Sequence, residues 1–246
     1  MKTTLKILIA TVAVATIFAA CSKNDHEALY GDYVTVENPD SVKAFYMTTD
    51  AGTRLYTQTT NFIPAHRSRY YVLFTASEKM PAGSAYDYEV KLTSYQNILT
   101  KDIFNITPAT QDSIGHDPIG IQNIWIASNY LNIYFVFYRS DYPVTHYINL
   151  VADSTKNYND NALHFEFRHN AKGDYSAYQA WSAVSFDLLP LKENAVGDSL
   201  TLVVHAKEFS TNADKTYTIG YKFTSDINKI NKLDNNHNFS TFALFQ

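Results

Sequence analysis

The chain has 246 residues, room for one large domain or two ordinary ones. Hydrophobic residues make up 46% and charged residues 18%, with 8 Gly and 7 Pro, which excludes a disordered or low-complexity polypeptide. A formal charge of −4 and no long run of like charges speak against a nucleic-acid partner, which needs concentrated basic surface.

Lys2 and Lys6 form a basic start, and Ile7 to Ala20 follows as ILIATVAVATIFAA without a charge. That run is too short for a helix across the hydrocarbon core of a bilayer, which needs about 20 residues. With Ala19 and Ala20 closing it, residues 1–20 read as a cleaved secretory signal peptide. Phe18-Ala19-Ala20-Cys21 resembles a bacterial lipobox, in which small residues precede a cysteine that receives a diacylglycerol. The usual pattern has Leu where this chain has Phe18. Cys21 is the only cysteine, so lipidation there is expected, and without disulfides the fold must rest on its core. Cleavage removes Lys2 and Lys6 and leaves 18 basic against 24 acidic side chains, a balance of −6. Residues 21–31 then form the lipidated cysteine and a polar tether. Within it Asp25 and Glu27 loosely resemble an acidic surface-export signal, and a plain solvated spacer fits as well.

The body is rich in strand formers, with 19 Tyr and 15 Phe among many Val, Ile and Thr. From about Asp32 onward strands are expected almost throughout. Phe45 to Thr49 and Thr53 to Gln58 flank a hairpin turn at Asp50-Ala51-Gly52. Arg69 to Ser77 is a strong apolar strand. In Tyr86 to Ser94, Tyr86, Tyr88, Val90 and Leu92 alternate with Asp87, Glu89, Lys91 and Thr93, the period of a half-buried strand. Ile98 to Phe104 is expected to close this first set of about five strands. The turn-rich stretch Thr107 to Pro118 is taken as the domain boundary.

Beyond it, strands are expected at Ile121 to Ala127, Tyr130 to Tyr138, Thr145 to Ala152, Ala162 to His169, Ala183 to Leu189, Ser199 to Ala206 and Thr216 to Phe223. A last apolar run, Phe239 to Phe245, follows an Asn-rich stretch. No helix is expected outside the signal peptide. The fold class is all-β: an OB-like five-stranded barrel at 32–106 followed by a β-sandwich at 107–246.

Several blocks carry a family resemblance: RYYVLFTAS at Arg69 to Ser77, ILTKDIF at Ile98 to Phe104, IQNIWIASNYLNIYFVFY at Ile121 to Tyr138, HYINLVAD at His146 to Asp153 and LHFEFRHNAKGD at Leu163 to Asp174. In order and spacing the chain resembles the NigD-like lipoproteins of Bacteroidetes. The resemblance implies an N-terminal OB-like domain and a C-terminal β-sandwich. It implies a bacteriocin-related role only weakly and brings no catalytic residues or ligand with it.

The most enzyme-like segment is His164 to His169. On a strand, His164, Glu166 and Arg168 share one face, and Phe165, Phe167 and His169 the other. His and carboxylate could move a proton or hold a metal, but the spacing matches no zinc motif. A solvated strand face with charges paired across the sheet is the plainer reading. His146 and His205 could join His164 and His169 in space, which sequence does not show. Trp125, Tyr130 and Tyr134 are the candidate ligand-binding residues, as aromatic faces for a sugar or peptide. The alternative has them in core strands around the turn Ser128-Asn129, with Trp125 filling the sandwich centre. His66 to Tyr71 has basic and aromatic character but is too short to indicate nucleic-acid binding.

The expected function is a lipid-anchored protein of the cell envelope, at the outer membrane, that binds a protein, peptide or glycan without catalysis. No cofactor, metal or nucleic acid is expected. The alternatives are an envelope hydrolase using His164, Glu166 and His146, and an accessory subunit of a bacteriocin export or immunity system.

Overall fold

The computed structural model describes residues 28–223 apart from 42–43, 59–61, 63, 65–66, 143, 196 and 210. The signal segment, Cys21, His66 and the run Phe239 to Phe245 lie outside the described residues.

Five strands close into a barrel: β1 (Leu29–Ser41), β2 (Ala44–Thr49), β3 (Arg54–Gln58), β4 (Ser68–Lys79) and β5 (Tyr88–Asn97). Their order is β1-β2-β3-β5-β4 and back to β1. All neighbours are antiparallel except β3 and β5. This is the Greek-key order of an OB-like barrel. Alternation sends Val34, Val36, Phe45, Met47, Leu55, Val72, Phe74 and Val90 into one core. Tyr88 and Leu92 pack against it, so the face read from the alternating strand is the inward one. The β2–β3 turn forms at Asp50-Ala51-Gly52, where Gly52 takes φ +85° and donates its N–H to the Thr49 carbonyl at 2.9 Å.

One expected membership changes. Within Ile98 to Phe104, β6 (Leu99–Lys101) pairs with β12 (Tyr178–Asp187), and β7 (Phe104–Asn105) pairs with β10 (Tyr147–Ala152). The barrel reaches five strands through β1 instead. A short apolar run states its burial but not its partner.

The remaining strands are β8 (Gly120–Ala127), β9 (Tyr130–Arg139), β11 (Leu163–Asn170), β13 (Ser199–Lys207) and β14 (Asp214–Lys222). Two sheets result, in the orders β14-β13-β11-β10-β7 and β6-β12-β9-β8. Ile121, Leu131, Ile133, Phe135, Ile148, Leu150, Phe165, Phe167, Val184, Phe186, Leu202 and Val204 fill the space between them. Burying each such side chain contributes about 1.5–3 kcal/mol. The β8–β9 hairpin turns at Ser128 and Asn129, both at positive φ, the two-residue turn whose twist matches that of the strands. Among the described residues the helices are a single turn, α1 (Gln111–Ile114), and a 3-10 segment at Leu189–Asn194, which corrects the expectation of none outside the signal peptide.

Candidate functional site

The three candidate aromatics lie where the barrel meets the smaller sheet. Trp125 pairs across the sheet with Asn132, while Ile124 and Ile126 pack on the sandwich core. Trp125 therefore leaves the sandwich on its outer face, and the expectation that it fills the centre is corrected. Its Nε1 donates to Asp50 Oδ2 at 2.7 Å, and its ring meets Tyr33 at 5.4 Å. Asp50 sits in the β2–β3 turn and also binds the fully buried Arg69 at 2.6 and 2.8 Å. Arg69 donates to Thr35 as well, at 2.9 Å. Tyr130 is 1% exposed; its hydroxyl donates to the Arg67 carbonyl at 2.6 Å, and Arg67 and Arg69 both lie over its ring. Tyr134 is half-buried, near enough to Tyr33 to help burial push that phenol up to about 12. The structure brings Trp125, Tyr130 and Tyr134 together, with barrel residues against them.

Asp32, beside Asp50, is pushed up to about 7 by burial and by the Asp50 carboxylate, against the Tyr33 N–H and Arg69. An ion pair and a carboxyl that resists ionisation thus share one seam.

The four histidines of interest form two pairs, on opposite faces of β11. On the inner face, His146 Nδ1 meets His169 Nε2 at 2.9 Å. His146 Nε2 meets Asp174 Oδ2 at 3.0 Å, and His169 Nδ1 meets the Pro118 carbonyl at 3.2 Å. Asp174 also accepts from the Ser140 hydroxyl at 2.5 Å and the Ser140 N–H at 3.0 Å. Those two bonds, with His146, hold its carboxyl well below the usual range. A carbonyl and a carboxylate only accept, so both outer nitrogens of this pair carry protons. The two facing nitrogens then need a third proton between them, and the pair as a whole bears one positive charge. Burial, against the Pro118 carbonyl, pushes His169 down. The Asp174, His146 and His169 side chains are all nearly inaccessible, and Phe137 packs on both rings.

This clasp ties together the chain segments at one end of the sandwich, and exposed aromatics cluster there. Tyr142 (66% exposed) and Tyr175 (56%) meet edge to face at 6.3 Å. Arg139 lies over Tyr178 at 6.0 Å and Lys172 over Tyr147 at 4.9 Å.

On the outer face of the larger sheet, His164 Nδ1 meets His205 Nε2 at 3.0 Å. His164 Nε2 binds both Asp160 oxygens at 3.0 Å, and His205 Nδ1 meets Thr216 Oγ1 at 3.3 Å. Tyr158 lies flat on His164, ring centres 3.7 Å apart and planes within 4°. Beside them a cavity of about 140 Å³ is lined by His116, Lys156, Glu166, Arg168, His205 and Asp214. Glu166 is held by Arg168 at 2.5 Å and by Lys156. Burial, then His164, pushes His205 down; burial, then Arg168, pushes His116 down.

The sequence placed His164, Glu166 and Arg168 on one face and His169 on the other, and the structure agrees. The solvated character expected for that face is corrected: Glu166 is 5% and Arg168 6% exposed. Lys156, in the loop just before the strand, and the segment around Gly115, some fifty residues earlier, supply their partners. His146 joins His169 and not His164 or Glu166, so the expected three-residue hydrolytic set does not assemble. Sequence reasoning missed Asp160, Asp174, Ser140, Tyr158 and Thr216. Only their placement in turns and on an edge strand could have pointed to them.

Fold and site together define an all-β protein in which a closed five-stranded barrel is fixed to a two-sheet sandwich. Residues 102–221 match the NigD-like C-terminal beta sandwich domain, and that part of the chain is a sandwich domain of this family. No curated protein sequence matches it. Among solved structures it is similar to a candidate toxin-related protein from Parabacteroides distasonis, at 28% identity and a TM-score of 0.64, covering 79% of this chain and 94% of that one. A NigD-like immunity protein from Bacteroides caccae matches at 18% identity and a TM-score of 0.57, over 79% and 97% of the two chains. A candidate lipoprotein from Bacteroides fragilis matches at 15% identity and a TM-score of 0.57, over 81% and 100%. The last two likenesses are of fold.

Proposed function

We propose that this chain is a lipid-anchored envelope protein that binds a protein or peptide partner through the aromatic end of its sandwich, without catalysis. The observation that carries the reading is the cluster of exposed Tyr142, Tyr175 and Tyr178 with Arg139, set on a buried charged clasp. Tyrosine and arginine are the side chains that most often anchor protein interfaces, and rigid support limits the entropy lost on binding. The anchor rests on Cys21 and the segment before it. A bacteriocin-class peptide is among the partners to test, because one structural relative is described as an immunity protein and another as toxin-related.

The test places a photocrosslinking residue at Tyr142 or Tyr175, and at Tyr95 on the barrel as a control, in producing cells. The reading expects one discrete adduct from both sandwich positions, weakened by Tyr178→Ala and absent from Tyr95. Equal adducts from all three positions, or none, contradict it. In parallel, Cys21→Ser should move the protein from the membrane to the soluble fraction; a variant that stays membrane-bound removes the lipid anchor from the account.

A hydrolytic reading has one observation in its favour. The Thr216 hydroxyl, His205, His164 and Asp160 form a continuous hydrogen-bonded chain in which a proton could pass from hydroxyl to carboxylate. Turnover of an ester or amide substrate that Thr216→Val abolishes would favour it over the binding reading.

A further inference from the structure

We propose that His164 and His205 form the protein half of a transition-metal site, taking a divalent ion such as Zn2+ or Cu2+ through His164 Nδ1 and His205 Nε2. The inference concerns the outer face of the sandwich and does not depend on the aromatic end or its partner.

Those two nitrogens already face each other at 3.0 Å. Bond lengths of about 2.0–2.1 Å at a tetrahedral ion hold two nitrogens roughly 3.3–3.4 Å apart, so a few tenths of an ångström and a small ring rotation admit the ion. Imidazole nitrogen suits zinc and copper among the common biological cations. The groups behind the ligands fit as well. Asp160 accepts from His164 Nε2, which fixes the tautomer with its lone pair on Nδ1, the carboxylate–histidine arrangement that supports bound metals. Thr216 Oγ1 can accept from His205 Nδ1, which places that lone pair on Nε2. The Tyr158 ring lies flat on His164 and holds its plane. Among the described residues no three His, Cys, Asp or Glu side chains converge to enclose an ion. The adjoining cavity of about 140 Å³ instead leaves the remaining positions to water or to a donor atom of a second molecule. The site is therefore open and exchangeable, not a structural zinc knot.

The inner pair has a similar outline but different access. His146 and His169 are sealed in, with their facing nitrogens 2.9 Å apart and turned on each other. The protein thus carries its own control.

The experiment titrates the detergent-solubilised mature lipoprotein with zinc chloride by calorimetry, and separately with Cu2+ while the imidazole resonances are followed by NMR. The expected result is one Zn2+ per chain, weakened at least tenfold by His164→Gln or His205→Gln and by a smaller factor by Asp160→Asn. Copper should broaden His164 and His205 selectively and spare His146 and His169, a readout that needs no variant to fold. Zinc affinity unchanged in both histidine variants, no binding at millimolar zinc, or equal broadening of all four rings would overturn the proposal.

Discussion

Strand β11 contributes one histidine to a pair on each of its faces, and the pairs share an outline: carboxylate, imidazole, imidazole, oxygen. What separates them is the last oxygen and the access of water. The inner pair ends on the Pro118 carbonyl, which only accepts, so its protons are fixed in number and the pair must be charged. The outer pair ends on the Thr216 hydroxyl, which accepts or donates, so the pair can be neutral and can rearrange. The inner pair is sealed beneath Phe137, and the outer one borders an open cavity. Equivalent residue types thus give a fixed clasp on one side and an adaptable site on the other. The difference lies in one hydroxyl and a few covering side chains.

The largest contrast is expected in stability. His169→Ala leaves the Pro118 carbonyl and one side of His146 without partners inside the sandwich, a loss of about 2–4 kcal/mol in urea unfolding. His164→Gln, on the outer face, should cost roughly 1 kcal/mol or less. Equal losses would break the division between the two faces.

Gly115→Ala tests how the outer face is covered. Gly115 has φ +77°, and a Cβ there would lie 2.5 Å from Asn170 Cβ and 2.9 Å from its Cα, while its carbonyl accepts from Arg168. The substitution should cost about 1–3 kcal/mol and raise proton exchange at Arg168, seen by NMR. A neutral result would mean that this segment does not hold the charged face shut.

The pH dependence sharpens the comparison further. His169 and His205 are both held below the ordinary histidine value, so the unfolded chain takes up protons first and stability falls as pH drops below about 6.5. Asp32 works the other way. Held up to about 7 in the fold, it contributes fully below about pH 4, and that contribution is lost as pH rises through 7. Asp32→Asn should therefore stabilise the protein at pH 8 and steepen the remaining acid-side loss. In that background His205→Gln should shrink the loss below pH 6.5 with little effect at pH 8. A stability profile that Asp32→Asn leaves unchanged would contradict the burial assigned to that seam.

Much of the fold was legible because alternation reports burial directly. Val184 and Phe186, or Leu202 and Val204, could face only inward, and Asp50-Ala51-Gly52 and Ser128-Asn129 marked hairpins by their backbone needs. The two faces of His164 to His169 followed from the same period. Partners were not legible, because they depend on where distant segments return. Leu99–Lys101 carries no mark that its neighbour is β12 and not a barrel strand. Glu166 and Arg168 look like surface residues until Lys156 and Gly115 are folded over them. Trp125 belongs to the face opposite Ile124 and Ile126, a parity the sequence contains, but that the barrel waits there is a tertiary fact. Pairing of four scattered histidines into two couples was beyond any local pattern.

The most direct test counts imidazole protons by long-range 1H–15N correlation on the mature protein at neutral pH. Three ring protons shared by His146 and His169, slow to exchange with water, are expected, with ring protons on His164 and His205 that exchange quickly. Two protons on the inner pair, or equally fast exchange in both pairs, would contradict the claim that one face of β11 is locked by charge and the other left open.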